Sequence, residues 1–330
     1  MAKALTFHGA SAAVRSIEVA TAARLHLGFL DLNGDLGRRF GSIGLSIDAF
    51  ETRIEIVPGA QFQALGCERE RSAALARRTA EALGLKLSGT LTVASAIPTH
   101  SGLGSGTQLA LAIGSALRRL HHIGADTKAD ALILDRGGRS GAGAALFERG
   151  GLVLDVGRGP RTDMPPVVTH LPFPEEWRIV LIMDPAVEGV HGEAERLAFA
   201  RLPRLPAESA GEICRRTLMQ VLPGVAERDL DSFGEGVAAI QAILGDHFAP
   251  AQGGGRFTST AVGLVAERLR ARGARGVGQS SWGPTAFAFA ADADEAAYLA
   301  ACGRDANVMI RTCATRNRGA SIVEREMIGP

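Results

Sequence analysis

The chain has 330 residues, a formal charge of +1, 46% apolar and 22% charged residues, enough to bury a core spread over two domains. A charge so near zero gives no basic field for nucleic acid and no acidic tail, and four scattered cysteines (Cys67, Cys214, Cys302, Cys313) without C-x-x-C spacing read as reduced thiols, not as a zinc knuckle or redox pair. No apolar run approaches the ~20 residues that span a bilayer, and the N-terminal segment to Leu25 carries two arginines and no continuous apolar centre. It does not read as a signal peptide, and a cytoplasmic protein is expected.

Apolar alternation predicts a strand from Val14 to Leu30, broken between Gly34 and Gly44 by four glycines and two arginines, and resumed in "IGLSIDAFETRIEIV". "ERERSAALARRTAEALG" has helical spacing and stops at Gly84; "GTLTVASAIP" is a strand closed by Pro98. A glycine-rich turn leads into a helix reaching about His121, then a helix in "TKADALILDRGG" and a strand in "GGLVLDVG". The proline-rich stretch between Gly157 and Trp177 predicts the boundary between a domain over 1–170 and another over 171–330. Beyond it come the strand "RIVLIMD", helices around His191–Ala200, Ala207–Val221, Asp229–His247 and Ser259–Arg272, strands "GVGQSS" and "TAFAFAA" about a "WGP" turn, the helix "DADEAAYLAAC" and a last strand "NVMIRTCATR". That order is ferredoxin-like, a split β-α-β with extra helices.

The junction "IPTHSGLGSGTQLALAIGSAL" carries chemistry. A helix start offers free N–H groups and a positive dipole end, and glycines admit positive φ and close approach of an anion. Gly102, Gly104 and Gly106 form the expected cradle, with hydroxyl donors from Ser101, Ser105 and Thr107. A plain glycine turn capped by Ser105 is the alternative. No Lys follows the last glycine, so this is not a Walker A loop.

"PTHSGLGSGTQLALA" resembles the phosphate loop of the GHMP superfamily of small-molecule kinases, with Gly106 where the usual pattern has a second Ser, and "GQSSWGPTAFAF" resembles the superfamily's C-terminal glycine motif, which packs on that loop. A set spread from Ala23 to Phe289, "ARLHLGFLDLNGDLGRRFGSIGLSI", "SGLGSGTQLALAIG", "GRSGAGAALFERGGLVLDVG" and "SSWGPTAFAF", is similar more narrowly to the β-ribofuranosylaminobenzene 5′-phosphate synthase family. The resemblance implies an α+β, GHMP-kinase-like two-domain fold, N-terminal ribosomal-S5-domain-2-like and C-terminal ferredoxin-like, and a homodimer. It also implies a pentosyltransferase of methanopterin biosynthesis that joins 4-aminobenzoate to phosphoribosyl pyrophosphate with loss of carbon dioxide and pyrophosphate. Decarboxylation replaces deprotonation in that reaction, so no strong base is needed. A kinase base is not evident: the only carboxylate of "GRSGAGAALFERGG" is Glu148, in an apolar context that reads as a capping or solvated residue. An ATP-dependent kinase and a non-catalytic ligand-binding member are the alternatives.

On this reading Asp31, Arg38 and Arg39 of "DLNGDLGRRFG" are catalytic, the arginines as a phosphate or carboxylate fork, and Asp31 and Asp35 hold Mg²⁺ through water; a solvated hairpin is the alternative for Asp35. Arg24 and His26 alternate outward on the first strand, His26 as a ligand or a satisfied structural histidine. Arg139 and Ser140, between glycines, are a second phosphate site. Ser281, Trp282 and Thr285 belong to the C-terminal glycine motif, Trp282 stacking on an aromatic substrate or filling a domain interface. His191, Glu193 and Glu195 rank behind these.

Overall fold

A computed structural model of the chain describes residues 14–305 and 307–327. Residues 1–13, on which the reading of the N-terminal segment rests in part, lie outside them. In chain order the elements are β1 (Val14–Asp31), β2 (Phe40–Val57), β3 (Gln63–Gly66), α1 (Arg69–Ala82), β4 (Thr90–Ser95), α2 (Ser105–Leu120), α3 (Thr127–Ile133), α4 (Ala142–Arg149), β5 (Leu152–Asp155) and β6 (Val167–Leu171). Then follow β7 (Arg178–Met183), α5 (Gly192–Arg201), α6 (Ala207–Arg216), a π-turn Thr217–Val221, α7 (Leu222–Glu227), α8 (Leu230–Phe248), α9 (Thr260–Ala271), β8 (Arg275–Gln279), β9 (Thr285–Ala290), α10 (Ala293–Cys302), β10 (Met309–Cys313) and β11 (Ser321–Met327).

The first sheet runs β11-β1-β2-β4-β3, with β5 pairing β2 and β6 pairing β5. The second runs β10-β7-β9-β8, all neighbours antiparallel, which is the strand order of a split β-α-β. The two sheets are joined by apolar packing. One buried cluster runs from Leu25, Leu27 and Phe29 on β1 to Trp177, Phe233 and Phe289 on the second half.

One strand departs from the sequence reading. The sequence places everything from residue 171 onward in the second domain, yet β11 crosses back and pairs with β1 from Val14↔Met327 to Ala20↔Ser321. Left alone, β1 would present a long open edge. β11 covers that edge and matches its charges, Arg15 with Glu324 at 2.9 Å and Arg325 with Glu18 at 2.8 Å. The short strands β3 and β6, with four and five residues, also carry too little alternation to be legible.

Helix α2 is the pivot of the first half. Leu109, Ala110, Leu111, Ala112 and Ile113 are all buried, so the helix is wrapped by β1, α1, α3 and α4. Its last turn carries Arg118, whose Nε donates to Asp130 Oδ1 at 2.7 Å with the two side chains 9% and 1% exposed. Burial raises the Asp130 pKa against the lowering effect of Arg118. We expect Arg118→Met to cost about 3 kcal/mol in urea unfolding at neutral pH, because it strands a buried carboxylate, and Arg118→Met with Asp130→Leu to recover most of it. A cost under about 1 kcal/mol for the single change would show that water reaches Asp130.

Candidate active site

The turn before α2 has the backbone that the glycines allow. Gly102 and Gly104 sit at φ +82° and +80°, and Gly104 precedes the helix without any side-chain cap, leaving first-turn N–H groups of α2 free for a ligand. The C-terminal glycine motif docks on this turn, backbone against backbone. A Cβ on Gly102 would lie 2.3 Å from the Ser280 carbonyl oxygen, and one on Gly283 would lie 2.3 Å from Gly102 N. Ser280 Oγ locks the contact, donating to Gly102 O at 2.8 Å and accepting from His26 N at 3.0 Å.

Three guanidiniums converge on the turn. Arg24 of β1 lies against Gly104, where a Cβ would be 2.6 Å from its Cγ. Arg71 of α1 and Arg136, just beyond α3, flank Gly106, where a Cβ would be 2.6 Å from Arg71 Nη2 and 3.4 Å from Arg136 Nη1. The three line a cleft of about 360 Å³ with Ser105, Thr107, His100, His191, Glu195 and Ser281. The Nε atoms of Arg24 and Arg136 are buried without a hydrogen-bond partner. Burial lowers both pKa values; Glu195 and Asp155 oppose the shift at Arg24, while Arg71 adds to it at Arg136. Two half-buried cations with a buried donor unspent on each, beside an uncapped helix start, gain most from a multiply charged anion.

Beyond the arginines lies an aromatic box. The Trp282 ring stacks on Phe199 of α5 at 4.6 Å and 29°, and Phe248 stands edge-on to Trp282 at 4.8 Å. Phe29 and Phe40 contact the same Phe199 ring edge-on at 5.8 Å each. The Arg139 guanidinium lies 5.1 Å above the Phe199 centroid, and its Nη2 donates to Glu195 at 2.7 Å.

Residues 71–151 match the family model of the GHMP kinases N terminal domain. A homoserine kinase from Cytophaga hutchinsonii superposes with a TM-score of 0.68 at 18% identity, over 97% of this chain and 100% of that one. A mevalonate diphosphate decarboxylase from Staphylococcus aureus does so at 0.67 and 13%, over 94% and 98%. These show the fold, α+β and GHMP-kinase-like. The Archaeoglobus fulgidus β-ribofuranosylphenol 5′-phosphate synthase is 35% identical over 286 residues, 82% of this chain and 87% of that protein. The chain belongs to the β-ribofuranosylphenol 5′-phosphate synthase family. Its Methanothermobacter thermautotrophicus relative is 32% identical over 92% of this chain and 98% of its own length. Family membership makes this chain an enzyme.

Within this synthase-family fold the sequence-predicted residues divide. Arg24, Gly102, Gly104, Ser105, Gly106, Thr107, Ser281 and Trp282 line the cleft. Ser101 is buried behind it, its Oγ bonded to Pro98 O at 2.7 Å. Thr285 is buried at the start of β9, its hydroxyl without a partner. Ser140 turns away from the cleft to Ser42 and Asp155 and caps α4 through Ala142 N, so it does not form an open phosphate site with Arg139. The Asp155 carboxylate accepts from Ser42 and Ser140 hydroxyls and from Gly141 and Gly157 N–H; burial still raises its pKa. It is a structural hub that ties β2, β5 and the start of α4 together. Glu148 is exposed on α4. His191 and Glu195 line the cleft, although the sequence ranked them low, and Glu193 pairs outward with Arg196.

The β1–β2 loop does not enter the cleft. Arg38 Nε and Nη2 donate to the carbonyls of Val156 and Gly157, at 3.0 and 2.8 Å, and Arg39 lies over Phe40, a wall of the aromatic box. Asp31 Oδ1 accepts from Asn33 N at 2.6 Å and Gly34 N at 2.9 Å, shaping the turn, and Asp35 is exposed. Among the described residues no group of three His, Cys, Asp or Glu side chains is gathered for a metal. Asp31 and Asp35 are two carboxylates of the exposed β1–β2 turn, and any Mg²⁺ they held through water would take most of its oxygens from the substrate. Nor, among the described residues, is any helix long and apolar enough to cross a membrane.

Sequence reasoning missed Arg71 and Arg136. The signal was Gly106: a residue without Cβ where related loops carry Ser makes room for a neighbouring side chain. His26 is neutral behind the cleft, its pKa pushed down to about 3 by burial first and then by the Arg24 and Arg139 charges. The unfolded chain takes up a proton near 6.5 and the folded one does not, so stability falls as pH drops from about 6.5 toward 3, by up to about 1.4 kcal/mol per pH unit. His26→Asn is expected to flatten that slope in denaturant titrations between pH 4 and 6; an unchanged slope would mean that another group carries it.

Proposed function

We propose that the protein transfers the phosphoribosyl group of phosphoribosyl pyrophosphate to the carboxylate-bearing carbon of a para-substituted benzoate, releasing pyrophosphate and carbon dioxide. The observation that carries this reading is the pair of half-buried guanidiniums of Arg24 and Arg136, each with a buried and unpartnered Nε, at an uncapped helix start, in a cleft where Glu195, the only carboxylate lining it among the described residues, is already paired. Such a cleft can hold a diphosphate and stabilise it as it leaves, and it offers a kinase acceptor no free carboxylate base, only the imidazoles of His100 and His191. The para group is an amine or a hydroxyl; the curated relatives are named for a phenol product, and either group pushes electrons to the ring carbon opposite it.

The steps balance without a proton. The ring carbon bearing the carboxylate gives its π pair to the anomeric carbon, and the anomeric C–O pair departs on pyrophosphate. The pair of the ring–carboxylate bond then restores aromaticity as carbon dioxide leaves. Arg24, Arg71, Arg136 and the first turn of α2 hold the leaving diphosphate; Trp282 and its neighbours hold the ring. Mg²⁺ enters as the counter-ion of pyrophosphate, and product formation is expected to stop on chelation. A small-molecule reaction in a dimer is the partner arrangement proposed.

The protein is to be incubated with phosphoribosyl pyrophosphate and Mg²⁺, with and without 4-aminobenzoate or 4-hydroxybenzoate, and separately with ATP and alcohols. Acceptor-dependent pyrophosphate is the expected result. ADP from the second mixture, with no pyrophosphate from the first, would replace this reading by a kinase.

A further inference from the structure

Helix α5 carries two groups four residues apart on one face: the Glu195 carboxylate, which lines the cleft, and the Phe199 ring, which sits in the aromatic box beside it. The ring fills an aromatic slot, stacked on Trp282 at 4.6 Å with Phe29 and Phe40 edge-on, and the carboxylate takes the Arg139 fork at 2.7 Å. One guanidinium thus holds both an aryl ring, by its charge over the face, and a carboxylate. A ring on Trp282 and a carboxylate on Arg139 is the pair of features that defines an aromatic carboxylic acid.

We propose that α5 is an internal mimic of the aromatic acid: Phe199 and Glu195 occupy the acceptor's seat, and the acceptor binds by displacing them. The proposal rests on the ribosyltransferase reading for the identity of the acid. The helix is built to leave. None of its residues is fully buried, and Phe199 and Glu195 are only half-buried. Withdrawing it gives up the packing of Ala198 and Phe199 on the edge of the core, and it frees the stacking face of Trp282, whose indole Nε1 has no partner, and the fork of Arg139. The exchange is near balance because ring replaces ring and carboxylate replaces carboxylate. It also rejects wrong ligands: an aromatic compound without a carboxylate, or an aliphatic acid without a ring, displaces only half of the mimic. Arg139 and Trp282 become specificity-determining residues for the acceptor.

Calorimetry with 4-hydroxybenzoate, which requires no turnover, tests this. Phe199→Ala and Glu195→Gln each remove half of the competitor, so each is expected to lower the dissociation constant at least threefold relative to wild type. With 4-hydroxybenzamide, which keeps the ring and lacks the charge, Phe199→Ala is expected to show the gain and Glu195→Gln none. Weaker or unchanged 4-hydroxybenzoate binding in both variants would overturn the proposal and make Phe199 and Glu195 fixed parts of the site. If Phe199→Ala fails to fold, Glu195→Gln decides alone. Gains in affinity without any pyrophosphate release in the two-substrate assay would sink the ribosyltransferase reading and leave the seat standing; normal turnover with no gain would do the reverse.

Discussion

Arg24→Met will lower kcat/KM for phosphoribosyl pyrophosphate on the order of a thousandfold, about 4 kcal/mol, and will not destabilise the empty protein. Both halves of this result follow from one observation. The Arg24 Nε is buried without a partner, and burial lowers its pKa, so in the absence of ligand the guanidinium lacks solvation that nothing in the fold fully replaces. Asp155, one of its two countercharges, is satisfied by four other donors, and Glu195 has Arg139. A methionine of similar length removes the cost of burying the charge and loses only the anion site. Arg24→Lys is expected to rescue poorly, since a point charge does not reproduce a planar fork. A loss of about 3 kcal/mol in unfolding stability with near-normal kinetics would instead make Arg24 a structural partner of Asp155 and Glu195.

Gly106→Val will weaken phosphoribosyl pyrophosphate binding at least about 30-fold, roughly 2 kcal/mol, while the protein stays folded. Gly106 does not require a positive φ, so the backbone tolerates a side chain. What the side chain meets is the end of Arg71 at 2.6 Å, a group that can swing aside, and Arg136 just beyond. The fold survives because the obstacle is movable, and binding fails because the obstacle is the ligand's partner. The intrinsic helix cost of Val is a few tenths of a kcal/mol relative to other ordinary residues, too small to mask the effect. Unchanged affinity in the folded variant, measured by calorimetry, would reduce the loop to a turn.

The parts of this site that were legible in the sequence are those written in local patterns. The alternation of β1, the glycine turn before α2 and the serine-tryptophan-glycine turn between β8 and β9 each show their backbone in a handful of adjacent residues. The rest depends on packing. Arg71 lies in "ERERSAALARRTAEALG", where any arginine reads as the solvated face of an amphipathic helix; only the approach of α1 and of the turn after α3 to the start of α2 makes it part of a cradle. Arg38 and Arg39 stand out between glycines as a free fork, yet β5 ends close enough for its following carbonyls to take the Arg38 donors. Ser140 looks exposed among glycines, but the buried Asp155 carboxylate draws it inward. β11 has no run of core residues, because its role is to cover an edge and match its charges.

The central claim is that ring–sugar bond formation and decarboxylation are coupled, and a label on the acceptor's carboxyl carbon tests it most directly. The carboxylate cannot depart until the ring carbon has bonded to the sugar, because before that no cationic ring exists to receive the electron pair. The account predicts labelled carbon dioxide and pyrophosphate in a one-to-one ratio, each requiring both substrates and Mg²⁺. Pyrophosphate released with the label retained in the product, as attack through nitrogen or oxygen would give, or labelled carbon dioxide released without phosphoribosyl pyrophosphate, would contradict it.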